Sequence, residues 1–257
     1  MPFIRYWNEQ LEFFGGLALL LKQVIRETIS GKFYWKLLIE QIYNVGIKSM
    51  PLVLITAAST GMVMALQFGM GLEKFGGKLY VPKLVALIIL REMGPVFTSL
   101  MIAGRIGAGF ASEIGSMVVT QQIDAIRALG TSPIKKIVIP RVLACLIAVP
   151  ILSAASNVVG NIGSMFVGAT ELNLDKDFYI LKILTTIDLW DFCSGFFKTF
   201  FFALFIALPA CYYGLNVKNG TKEVGIATTK TVVTASIMIL VGDYFLSKFF
   251  WMLEIML

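Results

Sequence analysis

The chain is predicted to be an all-α membrane protein, with an N-terminal interfacial amphipathic helix and five transmembrane helices, on three observations. Hydrophobic residues fill 57% of its 257 positions and charged residues only 15%, against about 45–50% and 25% in an ordinary soluble domain. Uncharged runs recur that reach the roughly 20 residues a bilayer crossing needs. Lys and Arg gather in the segments separating those runs. The length suits one domain over 1–257, with an interfacial segment at about 1–36 and a transmembrane core at about 37–257.

At the start, Leu11, Phe13, Phe14, Leu17, Leu20, Leu21, Val24 and Ile25 make a broad apolar stripe flanked by Trp7 and Trp35. The uncharged run between Glu12 and Lys22 is too short to cross, so a helix lying in the interface is expected. Glu9 and Glu12 precede the apolar run and no small-residue cleavage site follows, which argues against a cleavable leader. The first span is expected over Ser49–Leu72, without a charge, and the second from Lys83 to about Thr120, carrying Arg91, Glu92, Arg105 and Glu113. Val142–Thr170 is the third. The fourth, Phe192–Val217, is apolar apart from Lys198, and the fifth, Thr231–Met256, apart from Asp243, Lys248 and Glu254.

Small residues recur every fourth position in two spans: Ala103, Gly107, Ala111 and Gly115, then Ser156, Gly160, Ser164 and Gly168. In lipid such ladders let helix backbones approach closely, within a subunit or across a dimer.

Orientation follows the basic residues. The N-terminal segment holds Arg5, Lys22, Arg26, Lys32, Lys36 and Lys48; the segment near 121–141 holds Arg127, Lys135, Lys136 and Arg141; that near 218–230 holds three Lys. Segment 171–191 is acidic, with Glu171, Asp175, Asp177, Asp188 and Asp191. The three Lys of 73–83 dissent. A cytoplasmic N-terminus and an external C-terminus are expected.

Several chemistries are excluded. The chain has no histidine, so His-dependent triads and His-ligated zinc are ruled out. Asn219-Gly220-Thr221-Lys222 lacks the Walker A spacing, so any ATP hydrolysis belongs to another chain. Cys145, Cys193 and Cys211 lie in or beside apolar stretches and read as small buried hydrophobes. The net charge of +6 is explained by topology and anionic headgroups rather than nucleic acid.

Charges inside a span cost at least about 2.5–3.5 kcal/mol near the bilayer centre and are functional candidates. Arg91 and Glu92 lie about 100° apart on a helix and do not face each other, whereas Arg91 and Arg105 fall on nearly one side of a straight helix, roughly 21 Å apart. A guanidinium facing a cavity suits a phosphate, because its fork matches two oxygens. The alternative is a structural ion pair with another span, involving Arg105 or Glu113 with Asp243; for Arg105, Glu113 and Asp243 the structural role is preferred. Gly94-Pro95 follows directly and predicts a kink. Gln121–Gly130 reads as a short amphipathic helix with Ile123, Ile126 and Leu129 on one stripe and Gly130 as its C-terminal cap. It is either a plain connection or a docking helix for a cytoplasmic partner.

The motifs Leu90-Arg91-Glu92-Met93-Gly94-Pro95, Ala103-Gly104-Arg105-Ile106-Gly107, Ala111-Ser112-Glu113-Ile114-Gly115-Ser116-Met117 and Gln122-Ile123-Asp124-Ala125 resemble the signature of MlaE (YrbE) permeases. Gln41–Gly46 and Ala227–Val233 extend the resemblance over about 37–250. The stretch from Asp124 to Gly130, ending at Ile139-Pro140, is similar to the EAA loop of ABC importers with a shorter gap after the glycine. The resemblance implies a permease homodimer in the bacterial inner membrane, driven by a separate ATPase subunit that holds the ATP and magnesium; the permease itself is non-catalytic and has no cofactor. It further implies an external MCE-domain hexamer, a small cytoplasmic STAS-type protein, and phospholipid as substrate. By position, Leu72, Phe75, Tyr80, Arg91, Glu92 and Met93 would contact lipid. Gln121, Gln122, Asp124, Ala125, Arg127, Leu129 and Gly130 would form the coupling helix on the ATPase. The competing expectation is a proton-coupled secondary transporter using Glu92, Glu113 or Asp243, which five spans without an inverted repeat disfavour. An intramembrane enzyme would lack a nucleophile–base pair.

Overall fold

The computed structural model describes residues 2–29, 34–218 and 220–256, with 2–10 as backbone only. Lys32, Asn219 and the side chains of Arg5, Trp7 and Glu9 lie outside the described residues. Among the described residues the regular structure is helical: α1 (Pro2–Ile29), α2 (Trp35–Val45), α3 (Met50–Glu73), α4 (Val81–Ile88), α5 (Gly94–Ile102), α6 (Ala108–Val119), α7 (Gln122–Ala128), α8 (Ile139–Thr170), α9 (Lys176–Thr186), α10 (Leu189–Leu215) and α11 (Gly220–Met256). Five helical stretches are long and apolar enough to cross a bilayer: Trp35–Glu73, Lys78–Val119, Ile134–Thr170, Leu189–Leu215 and Gly220–Met256. The chain is an all-α, multi-pass membrane protein.

The first span reaches back to Trp35, further than its charge-free part suggested. Residues Ile47–Ser49 form a 3₁₀ turn joining α2 to α3. Pro51 lies in the first turn of α3, where a proline lacks nothing the helix would use. The second span is not one straight helix either. It widens into π turns at Ile89–Met93 and Ala103–Gly107, so the straight-helix spacing that put Arg91 and Arg105 on nearly one side does not apply. Another π turn, Ile134–Val138, leads into α8.

The chain groups into two compact units. The first comprises Met1–Val45, Ala103–Leu146 and Ala203–Ile237. Here α1 buries Phe13, Leu17, Leu20 and Val24 along one face. Phe13 stacks on Tyr213 at 5.2 Å and meets Tyr212 edge-on at 5.4 Å. The ladder Ala103, Gly107, Ala111, Gly115 is buried throughout. Gly107 faces Thr231 and Ile206, Gly115 faces Val217 and Val224, and Gly214 presses on the Ala111 carbonyl. Arg141, expected in a loop, is instead buried near the start of α8.

The second unit comprises Gly46–Ile102, Ile147–Phe202 and Met238–Leu257. A Cβ on Gly61 would stand 1.9 Å from the Gly160 carbonyl oxygen, and one on Gly163 would stand 2.5 Å from that of Ala58. Both ladders therefore pack helices within one chain. The acidic segment 171–191 contains a helix, α9, that hydropathy did not reveal. Asp175 caps it, accepting the Phe178 N–H at 2.9 Å, as an N-cap aspartate does. Tyr179 of α9 joins Val81, Val85, Ile89, Leu172 and Leu174 in a buried cluster.

The close backbone approach sets a test. Gly61→Leu and Gly163→Leu should each destabilise the protein by overpacking, about 1–3 kcal/mol or more, read as a lower thermal midpoint in detergent. Gly107→Ala, whose Cβ would meet only ordinary contacts at 3.5 Å, should match or exceed the parent. A Gly61→Leu protein with the parent's midpoint would contradict the packing described.

Candidate functional site

The second unit gathers an intramembrane cluster of charge from three spans. Its origin is Pro95. Proline has no N–H, so the carbonyl four residues earlier, that of Arg91, loses its helical donor. The chain answers with the π turn, in which the Gly94 N–H reaches the Ile89 carbonyl. Such bulges occur mostly as single turns, frequently at functional sites. The Lys198 ammonium of α10 donates to the freed Arg91 carbonyl at 3.1 Å. It also donates to Glu92 Oε2 at 2.7 Å, Asp243 Oδ1 at 3.2 Å and Ser247 Oγ at 2.6 Å. Ser247 Oγ in turn donates to the Glu92 carboxylate at 3.2 Å. Lys198 is 1% exposed.

Arg91 points its guanidinium the other way. Its Nε–H donates to Asp191 Oδ1, while Nη1 and Nη2 donate to the two Glu254 oxygens at 3.0 and 2.9 Å. Asp191 is buried, and its second oxygen accepts the Asp188 N–H at 2.9 Å. The fork expected to face a cavity is therefore occupied by carboxylates in this state. Four carboxylates (Glu92, Asp191, Asp243 and Glu254) share the two cations.

Beside this cluster lies an open apolar groove of about 490 Å³. Its lining includes Leu90 and Phe192, the chain neighbours of Arg91 and Asp191, with Val158, Ile162, Ile183 and Leu184. Met93 lines a separate narrow cleft with Thr56, Thr60 and Phe97. Leu72 packs against the buried cluster around Tyr179. Phe75 and Tyr80 are exposed; Tyr80 borders a further hollow with Lys83 and Lys182.

The remaining intramembrane charges resolve differently from the expected pairing. Asp243 takes Lys198, and Glu113, in the first unit, takes Arg141 Nη2 at 2.8 Å. Arg141 also donates to the Ile137 carbonyl at 3.0 Å and lies over the Phe110 ring at 5.4 Å. Arg105 sits exposed in the second π turn. The carboxylates a proton-coupled carrier would use, Glu92, Glu113 and Asp243, are thus each held by a cation.

Residues 121–130 form a short, largely exposed element in the first unit. Gln121 enters α7 with φ of 60°, a left-handed conformation that costs a non-glycine residue on the order of 1–3 kcal/mol. At the far end Gly130 has φ of 72°. The Thr131 N–H reaches the Ile126 carbonyl at 3.2 Å and the Gly130 N–H that of Arg127 at 2.9 Å, the paired bonds of a Schellman cap. Ile123 is buried, but Leu129, expected on the same apolar stripe, is 80% exposed. Gln121, Gln122, Asp124, Ala125, Arg127 and Gly130 are exposed with it, Asp124 and Arg127 pairing at 3.2 Å.

Sequence reasoning missed Lys198, Asp191 and Glu254 as site residues. The signal for Lys198 was present: a single cation in an aromatic-rich, otherwise uncharged span. Asp191 was hidden among the acids of its loop. Glu254 stood near the end of the last span, where a charge is cheap.

A family model described as Permease MlaE matches residues 38–249. The chain is 36% identical over 237 residues to a probable ABC transporter permease protein of Rickettsia felis, covering 92% of each chain. It is 36% identical to one from Synechocystis sp., covering 89% of this chain and 87% of that one. It is 31% identical to the chloroplastic protein TRIGALACTOSYLDIACYLGLYCEROL 1 of Arabidopsis thaliana, covering 98% of this chain and 72% of that protein.

Removing the central cation should be costly. Lys198→Ala leaves the partly exposed Glu92 and Asp243 without their cation; loss of one partner of a fully buried pair costs about 3–5 kcal/mol, and the loss here should fall below that. Thermal unfolding in detergent should register it, and adding Glu92→Gln with Asp243→Asn should recover part. A Lys198→Ala protein as stable as the parent would remove the cluster's structural role.

Proposed function

The chain belongs to the MlaE permease family, and from that premise we propose that it is the membrane subunit of an ATP-driven transporter of phospholipid. Its relatives carry the name of ABC transporter permeases, and this chain has no nucleotide-binding motif of its own, so a separate ATPase supplies the energy. The observation that carries the reading is α7. A short helix framed by left-handed residues at both ends, with Leu129 bare, is built to seat on another protein. Leu129 would enter a hollow on the ATPase. Asp124 and Arg127 would contribute polar contacts at the rim, Gln121, Gln122 and Ala125 would line the seat, and Gly130 would fix the turn.

Lipid as the cargo is supported by the name of the Arabidopsis relative, itself a lipid name, and by the apolar groove beside Arg91. Acyl chain would lie along the groove and the phosphate would meet the Arg91 fork. Glu92 and Lys198 would hold the π turn that presents Arg91. Phe75 and Tyr80, exposed, and Leu72 and Met93 would contact the rest of the amphiphile. Arg105, Glu113 and Asp243 serve structure in this reading. The family resemblance adds a second copy of the chain, an MCE-domain hexamer outside and a STAS-type protein inside. Lys and Arg bias supports an inner-membrane topology with the N-terminus cytoplasmic and α9 external.

The docking role is open to a direct test. Asp124→Lys with Arg127→Glu, and separately Leu129→Asp, should lower lipid transport by the purified permease–ATPase complex about tenfold or more, equivalent to about 1.4 kcal/mol. Variants that copurify with the ATPase and transport lipid at the parent rate would refute it.

A further inference from the structure

We infer that Glu254 is an internal, displaceable ligand of Arg91, occupying the seat that a lipid's anionic headgroup takes during transport. This rests on the reading of Arg91 as a headgroup contact and names what holds that contact before lipid arrives.

The two carboxylates on Arg91 are not equivalent. Asp191 takes the Nε–H, is buried, and is pinned through its second oxygen to the Asp188 N–H. It is a fixed partner. Glu254 takes both terminal nitrogens, one per oxygen, at 3.0 and 2.9 Å. That is the fork-to-fork arrangement a guanidinium makes with a carboxylate or a phosphate alike. A phosphodiester likewise offers two terminal oxygens on one atom. Glu254 already presents the geometry of the ligand it would yield to.

Three features make it replaceable. Its side chain is 38% exposed and Arg91's is 34% exposed, so the contact is at the rim rather than in the core. It lies in the last turn of α11, where the negative end of the helix dipole disfavours a carboxylate. Exchange of one monoanion for another leaves the charge of the cluster unchanged, so Lys198, Glu92 and Asp243 need not rearrange. When Glu254 leaves, Asp191 still orients the guanidinium, and the groove beginning at Leu90 and Phe192 receives the acyl chain. A lipid without an anionic group cannot make the exchange, so the contact would also select the cargo.

The experiment measures binding to the purified permease–ATPase complex by native mass spectrometry, with phosphatidylglycerol, diacylglycerol and inorganic phosphate as separate probes. Glu254→Ala should tighten phosphatidylglycerol binding about tenfold, equivalent to about 1.4 kcal/mol, and leave diacylglycerol unchanged. Glu254→Gln, which keeps the shape and removes the charge, should shift it the same way by less. Arg91→Ala should weaken phosphatidylglycerol in either background and erase the Glu254 effect. Folded Glu254 variants that bind phosphatidylglycerol no better than the parent, while Arg91→Ala weakens it, would overturn the displacement alone. Parent-like binding by Arg91→Ala would overturn the headgroup reading beneath it. A gain seen with inorganic phosphate but not with phosphatidylglycerol would assign the seat to a free anion and overturn the lipid exchange.

Discussion

The charge cluster of the second unit turns on one ammonium group. Lys198 is the single cation of α10 and is 1% exposed, so it cannot reach water and must be satisfied by protein. No single neighbouring helix could do that. It draws the Arg91 carbonyl and Glu92 from the second span and Asp243 and Ser247 from the fifth. The acceptor from the second span exists because Pro95 has no N–H to offer. A missing proton on one helix is thus met by a surplus of protons on another, and three spans are tied at one level.

Small residues make that tie sterically possible. Gly195, three residues before Lys198, would place a Cβ 2.1 Å from the Leu90 carbonyl oxygen. Only glycine lets α10 lie against the π turn, and that approach brings Lys198, on the same helical face, within reach of the next carbonyl. Gly94, whose Cβ would stand 1.7 Å from Asn157 Oδ1, does the same toward α8. In lipid no hydrophobic force drives helices together, so close backbone contact and polar bonds must supply the association. Here the glycines provide the first and the charges the second.

Much of this was legible in the sequence, and the exceptions have physical causes. Hydropathy found the five crossings because a bilayer demands apolar length. The Gly-Pro step marked the break in the second span, and the cap at Gly130 was readable because few residues other than glycine tolerate its φ. What hydropathy could not give was partnership. Lys198 with Glu92, and Arg91 with Asp191, are a hundred or more residues apart, and sequence spacing carries no information over that distance. The π turns also escaped it: each shifts the helical register by one residue, which undid the inference that Arg91 and Arg105 share a side. Helix α9 was masked because its acids and exposed apolar residues average to a loop-like composition, although the Asp175 cap was there to be read.

The cluster has a half fixed around Lys198 and a looser half at the rim, and the proposed transport uses both. Lys198 is buried and donates to four acceptors, one of them the Arg91 carbonyl, which ties down the backbone of the π turn. Arg91, leaving that turn in the other direction, meets one fixed carboxylate and one at the rim. A site that only gripped a headgroup would retain it, since a forked guanidinium–phosphate pair separates slowly without a substitute. A site that only tolerated one would never select it. A carboxylate of equal charge and similar geometry at the rim resolves the conflict in this proposal, because on release of the lipid Glu254 takes back both terminal nitrogens and Arg91 regains its full set of partners. On that proposal the fixed half sets where a headgroup would bind, and the loose half sets that it could leave.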